Sequence, residues 1–204
     1  MMDIHTVAAG GGSICSYRDG RFQVGPDSAG AAPGPASYRR GGPLTVTDCN
    51  LVLGSLSPNY FPAVFGTSGN MPLDNEAAKQ RIKELASKYD LHGSIEDIAM
   101  GFLEIAVQNM ANAIKKISVE RGHNITSYTL QSFGGAGGQH ACLVAEELGM
   151  SRVMIHPFAG VLSAYGMGLA DVRCLRESQL DCDLEDNEHV KATLDVLQAD
   201  AIDE

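Results

Sequence analysis

The chain has no Gly-Lys pair, no C-x-x-C pair, no two histidines at H-x-x-x-H spacing, no excess of positive charge and no long apolar run. Each lack removes a class of function. A P-loop needs a lysine directly after its last glycine, so that phosphate site is excluded. The five cysteines, Cys15, Cys49, Cys142, Cys174 and Cys182, are odd in number and scattered. They fit reduced thiols in the cytoplasm better than a disulfide frame or a zinc site. The six histidines add no metal-binding spacing, so no dedicated transition-metal cage is expected. Fifteen basic against 25 acidic residues leave a formal net charge of -10. A field of that sign disfavours nucleic acid and anionic membranes as partners, and any phosphate must be held locally by amides or a metal. No stretch approaches the ~20 apolar residues of a membrane span, and no signal-peptide pattern follows Met1. At 204 residues and 44% hydrophobic, the chain can build a full core, as one domain or one lobe of a larger enzyme.

What is present in quantity is glycine, and one run stands out. Tyr128 to Met150 begins with the strand-forming Tyr128, Leu130, Ser132 and Phe133, passes through Gly134, Gly135, Ala136, Gly137 and Gly138, and continues as a helix carrying Ala141, Val144, Ala145 and Leu148. Glycines between a strand and a helix let backbone amides approach a ligand with no Cβ in the way, and the helix start favours an anion. A nucleotide is the expected ligand. The dinucleotide pattern G-x-G-x-x-G, read from Gly135 and Gly137, meets His140 at its third glycine, and the next strand, Arg152 to His156, lacks the acidic residue that would hold a ribose. A tight turn alone needs only one or two glycines, so their number favours the ligand.

Taken in order, Asp3 to Ala9 reads as a strand entering Gly10, Gly11, Gly12 and Ser13, followed by strands Ile14 to Tyr17 and Arg21 to Val24 about a turn at Asp19-Gly20. A strand this close to Met1 suggests a piece of a longer polypeptide. Gly10 to Ser13 is either an anion-binding nest or a hairpin connection chosen for positive φ; a second glycine turn elsewhere tilts the balance toward a shared ligand. Gly25 to Gly42 is irregular, with Pro26, Pro33 and Pro35, and ends at Tyr38, Arg39 and Arg40, a basic spot suited to a carboxylate or phosphate or to a solvated surface pair. Thr45 to Leu53 reads as a short helix capped by Thr47 or Asp48. Asp74 should cap a helix through Ala78, Ile82, Leu85 and Tyr89 that closes near Gly93. Ser94 and Asp97 form a capping-box start for the longest helix, whose stripe of Ile95, Ile98, Phe102, Ile105, Met110, Ala113 and Ile117 is expected in the core. Arg152 to Ile155 is a short strand, Pro157 to Asp171 loop and small-residue helix, and an acidic amphipathic tail begins at Asp181.

The expected fold is therefore α/β, with element order βββαβαβα and an insertion over 26–93 after the third strand. That is the plan of the ribonuclease-H-like lobe of sugar kinases, actin and the large chaperone ATPases, whose glycine turns cradle phosphates and adenosine. Residues 1–174 would form the lobe and 175–204 the start of a following segment.

DIHTVAAGGGSI, VGPDSAGAAPGPASYRRGGPLTVTDCNLVLG, SFGGAGGQHACLVAEELGM and AGVLSAYGMGLADV resemble the hydantoinase A, acetone carboxylase and ATP-dependent 5-oxoprolinase family from Asp3 to about Arg173. YRRGG, FGTSGNMPL and IEDIAMGF look most like the 5-oxoprolinases. The resemblance implies ATP and Mg²⁺ as cofactors and a small cyclic amide as substrate, 5-oxo-L-proline opened to glutamate, with hydantoinase or ketone-carboxylase subunits and a non-catalytic actin-like lobe as alternatives. It implies an N-terminal lobe of the same protein, a hydantoinase B-type domain or subunit, and a homo-oligomer as partners. Gly10, Gly11, Gly12 and Ser13 then face phosphates, and Gly134, Gly135, Ala136, Gly137 and Gly138 the adenosine side. Asp48 and His140 are the candidates for catalysis, Arg39 and Arg40 for substrate binding, and Asp48 also for a metal. His140 contacts nucleotide or substrate, or simply caps and packs at its helix. Where many relatives read PGPACY, Ser37 replaces the cysteine here, so a thiol nucleophile at that place is not essential unless activity is altered.

Overall fold

The structure, a computed structural model, describes residues 7, 9–171, 173–183 and 185–202. The chain divides into two compact units, Met1–Leu162 and Ser163–Glu204. The first unit opens with a hairpin. Asp19 and Gly20 take φ of 50° and 75°, the left-handed pair of a type I′ turn, and so set Ser13–Arg18 (β1) antiparallel to Arg21–Ser28 (β2) with Cys15 opposite Val24. β1 also meets the chain ahead of the next helix: Cys15 N–H donates to the Leu44 carbonyl at 2.9 Å, and Ile14 bridges Thr45. The strand expected over Asp3 to Ala9 falls outside the described residues, apart from Val7 and Ala9.

Three helices supply most of the core. Val46–Val52 (α1) is capped by Thr45, not by Thr47 or Asp48, because Asp48 lies one turn inside and its carboxylate reaches back to the Thr45 N–H at 2.9 Å. Asn75–Tyr89 (α2) starts where Asp74 accepts from the Ala77 N–H. It stops at Asp90, whose φ of 51° turns the chain left-handed before Gly93 is reached. Ile95–Glu120 (α3) begins with the Ser94–Asp97 capping box. Its Ile98, Phe102 and Ala106 pack with Val46 and Cys49 of α1, Ile82 of α2, and Cys15 and Val24 of the hairpin. The 26–93 segment therefore builds the same core as the hairpin.

Leu130–Ser132 (β3), Ala141–Glu147 (α4) and Val153–Ile155 (β4) form a strand-helix-strand unit, with β3 parallel to β4 and Leu130 opposite Val153. β3 is shorter than the Tyr128 to Phe133 run. Asn124 accepts from the Thr126 amide and hydroxyl and holds a 3-10 turn over Ile125–Ser127, which delays the strand, and Gly134 at φ 90° ends it. Among the described residues the strands make two separate pairs, β1 with β2 and β3 with β4. What stands is a mixed α/β arrangement. In the second unit, Leu162–Leu169 (α5) begins at the boundary and Asn187–Ile202 (α6) follows; neither has a buried residue. Among the described residues no helix is long and apolar enough to cross a membrane.

Candidate functional site

The two glycine corners, more than a hundred residues apart in sequence, meet. A Cβ built on Gly11 would stand 4.0 Å from the Ala136 Cβ and 2.7 Å from Thr47 Oγ1. Helix α1 is the post between them. Thr47 donates both N–H and Oγ1–H to the Gly11 carbonyl, at 2.8 and 2.9 Å, and fixes the first corner. One turn later the wholly buried Asn50 uses Nδ2 to reach Gln139 Oε1 at 2.9 Å and His140 Nε2 at 3.4 Å, fixing the second. Gly10 to Ser13 forms a closed turn leading into β1, with the Ser13 N–H donating to the Gly10 carbonyl and the Gly10 N–H to Ser13 Oγ.

Some of the glycines have a reason within the protein. Gly134 has a left-handed φ, a Cβ on Gly137 would fall 2.6 Å from Ser132 Oγ, and one on Gly12 would meet Ser28 Oγ at 3.0 Å. Gly10, Gly135 and Gly138 are different: a Cβ there would meet no described atom within 4 Å, and none of the three has a left-handed φ. The second corner passes through a 3-10 turn, Gly137–Gln139, before α4 begins.

Beside this corner lies a cleft of about 310 Å³ between β3, α3 and the start of α4. Its walls are Met110, Ala113, Ile114 and Ile117 of α3, Leu130 and Phe133, with His140 and Val144 closing one side. The α3 stripe thus splits. Ile98 and Phe102 are core, and Met110 packs against that core while also lining the cleft; Ala113 and Ile117, expected as core, line the cleft, because the strand-helix-strand unit covers only part of that helix face. His140 is 4% exposed, and burial pushes its pKa below the ordinary value of 6.5. It stands at the N-cap of α4 but its side chain makes no capping hydrogen bond, and its Nδ1 has no partner among the described residues.

The remaining candidates sit apart from the cleft walls. Asp48 has no exposed surface; Oδ1 accepts from the Ser37 N–H, and Oδ2 from Ala36 N–H, Thr45 N–H and Thr45 Oγ1. The four bonds tie the proline-rich loop to α1 and leave the carboxylate no face for a ligand. Ser37 presents a buried hydroxyl with no described partner. Arg39 is committed to Asp74 at 2.7 Å and to the Pro72 carbonyl at 2.8 Å, while Arg40 reaches the Ala31 carbonyl at 3.4 Å. Among the described residues no cluster of three or more His, Cys, Asp or Glu side chains could hold a metal ion. Sequence reasoning missed what Thr47 and Asn50 hold; the signal was that these two, with Asp48, put three polar residues into a short helix that is otherwise apolar, at positions that a buried helix gives up only for a hydrogen bond.

The chain is similar to known proteins over most of its length. A family model described as Hydantoinase/oxoprolinase matches residues 1–176. 5-Oxoprolinase 1 of Arabidopsis thaliana is 48% identical over 181 residues, which are 84% of this chain and 14% of that protein. A nucleotide-free acetone carboxylase structure superposes with a TM-score of 0.76 at 28% identity, over 96% of this chain and 28% of that one. An ATP-dependent caprolactamase from Pseudomonas jessenii gives 0.72 at 36% identity, over 99% and 29%. The chain spans about a seventh of the curated relative's length.

Proposed function

The chain belongs to the hydantoinase/oxoprolinase family, and from that premise we propose that it is the nucleotide-holding lobe of an ATP-dependent cyclic-amide hydrolase that opens 5-oxo-L-proline to glutamate. The observation that carries this is that the two corners adjoin, so that a Cβ added at Gly11 would stand 4.0 Å from the Ala136 Cβ, each corner being pinned by a polar side chain of α1. Bare backbone at Gly10, Gly135 and Gly138 that no packing demands is what a closely held phosphate or ribose requires. Gly10 to Ser13 take the phosphates and Gly134 to Gly138 the adenosine. The fold is read as a ribonuclease-H-like lobe over residues 1–174, its facing lobe supplied by the rest of the polypeptide. The parallel strand-helix-strand unit and the hairpin support this plan.

A lactam is a poor electrophile because its nitrogen donates into the carbonyl. Transfer of the γ-phosphoryl group to the lactam oxygen releases ADP and makes an imidate; one water adds to the imidate carbon, the ring C–N bond breaks to leave an acyl phosphate, and a second water cleaves that to the carboxylate and free phosphate. This lobe contributes position: two rigid corners that fix the triphosphate and so pre-organise the transfer. The described residues do not fit a Mg²⁺ cage, since Asp48 is saturated and no cluster of three or more His, Cys, Asp or Glu side chains occurs among them. Asp48 is a positioning residue that shapes the loop ahead of α1. Of the two arginines, Arg40, with the looser contact, is the candidate for the substrate carboxylate. ADP formation by the complete protein, measured with 5-oxoproline, hydantoins, caprolactam, and ketones plus bicarbonate, tests the proposal. Stimulation by 5-oxoproline is expected; stimulation only by another member of the panel, or ATP binding without stimulated turnover, would sink it.

A further inference from the structure

The backbone groups of the Gly10 to Ser13 corner are not equivalent. The Ser13 N–H donates to the Gly10 carbonyl at 3.0 Å, the Gly10 N–H to Ser13 Oγ at 3.1 Å, and the Ala29 N–H to the Gly12 carbonyl at 2.9 Å. The Gly11 carbonyl takes two donors from Thr47, the N–H at 2.8 Å and Oγ1–H at 2.9 Å. Every glycine carbonyl of the turn is therefore occupied, whereas the Gly11 and Gly12 N–H groups have no acceptor among the described residues. Their direction follows from the peptide plane, because C=O and N–H of one trans peptide point opposite ways. The Gly12 N–H points away from α1, which holds the Gly11 oxygen. The Gly11 N–H points out of the turn, whose interior holds the Gly10 oxygen. Two adjacent donors thus face outward from a corner that turns its oxygens inward.

Resting on the nucleotide reading above, we propose that Thr47 is the positioning residue of this corner: it locks the Gly11-Gly12 peptide so that the Gly11 and Gly12 amides, and not those of Gly10 and Ser13, donate to a phosphate group of the nucleotide. The lock is needed because that peptide lies between two glycines, where rotation meets little resistance. Turned over, it would point the Gly11 oxygen where the Gly12 N–H points now, and an acceptor would meet the anion. Thr47 opposes this by giving that oxygen two bonds from one rigid post. The post is anchored, since Val46 and Cys49 on either side of Thr47 are wholly buried. The same contact explains the glycine at position 11, where a Cβ would stand 2.7 Å from Thr47 Oγ1. In a chain of net charge -10, aimed amides are the local source of positive potential that a phosphate requires.

The test compares the dissociation constants of ATP, inorganic tripolyphosphate and adenosine for the complete protein and its Thr47 variants. Thr47→Val removes the hydroxyl bond at nearly constant shape. ATP and tripolyphosphate should then both bind about tenfold more weakly, the scale of one hydrogen bond to a charged group, while adenosine binds as before. Thr47→Ser keeps the hydroxyl and should restore both. If Thr47→Val fails to fold, Thr47→Ala makes the same removal without placing a methyl group against the Gly11 oxygen. Unchanged ATP affinity in the folded variant would overturn the proposal, and so would Thr47→Ser binding as weakly as Thr47→Val. An equal loss for adenosine would show a merely structural role and overturn it too. Absence of ATP binding by the wild type would remove the nucleotide reading and this inference together, whereas ATP binding indifferent to Thr47 would remove only the latter.

Discussion

Asp48 shows how a single carboxylate organises the loop that precedes the site. It accepts from three backbone N–H groups and one hydroxyl while fully buried. Asp48→Ala would strand the Ser37 and Thr45 amides, while the Ala36 N–H keeps the Pro43 carbonyl at 3.0 Å, and each buried unsatisfied donor costs roughly 1–3 kcal/mol. The expected loss of about 2 kcal/mol or more should appear as a lower midpoint in urea unfolding; a loss below about 1 kcal/mol would show that the loop finds other partners. His140 makes a second prediction of known sign. Burial holds its pKa below 6.5, so below that pH the unfolded chain takes up a proton that the folded chain refuses. Its contribution is intact above about pH 6.5 and is lost as pH falls toward the depressed folded value. Unfolding midpoints measured from pH 7.5 to 5.5 should decline, and His140→Gln should flatten the decline. The carboxylates of Asp97, which accepts from Ser94, and Glu84, which accepts from Gln80 and Arg81, are held below 3.8 and 4.5, so their loss falls at lower pH.

At the scale of elements, α1 matters more than its seven residues suggest, because both glycine corners hang from it. Gly11→Ala would place a Cβ 2.7 Å from Thr47 Oγ1 and force that side chain off the Gly11 carbonyl. Overpacking of this kind costs about 1–3 kcal/mol. The thermal midpoint should fall, and in the complete protein ATP affinity should fall with it; unchanged affinity in a folded variant would separate the first corner from the nucleotide. Much of this element scale was legible in the sequence. The Asp19-Gly20 turn, the Asp74 cap and the Ser94–Asp97 box are local rules, and the structure follows each. What was not legible is tertiary. Thr45 rather than Asp48 caps α1 because the distant Ala36 and Ser37 amides also claim that carboxylate. Ala113 and Ile117 line the cleft because neighbours far along the chain decide how much of α3 is covered. The pinning of Gly11 by Thr47 and of His140 by Asn50 spans 36 and 90 residues, and no local pattern encodes it.

For the whole molecule, the two units differ in what holds them. The first has a continuous apolar core running from Cys15 through Phe102 to Leu148, whereas the described helices of the second bury no residue, and Leu194, Val196 and Ile202 of α6 are exposed. A 16-residue helix is marginal in water without a packed face, since helix nucleation is costly and propensity alone barely repays it. Protection should therefore be strongly uneven. In hydrogen exchange of the 204-residue chain, the amides from Ile98 to Ala111 should exchange only through global opening, while those of α6 should exchange through local fraying and lose protection in far milder denaturant. Phe102→Ala, which removes a fully buried ring at a cost of about 3–5 kcal/mol, should accelerate the first set and leave the second unmoved. If both sets accelerate together, the chain unfolds as one cooperative body and the division at Leu162 has no energetic meaning.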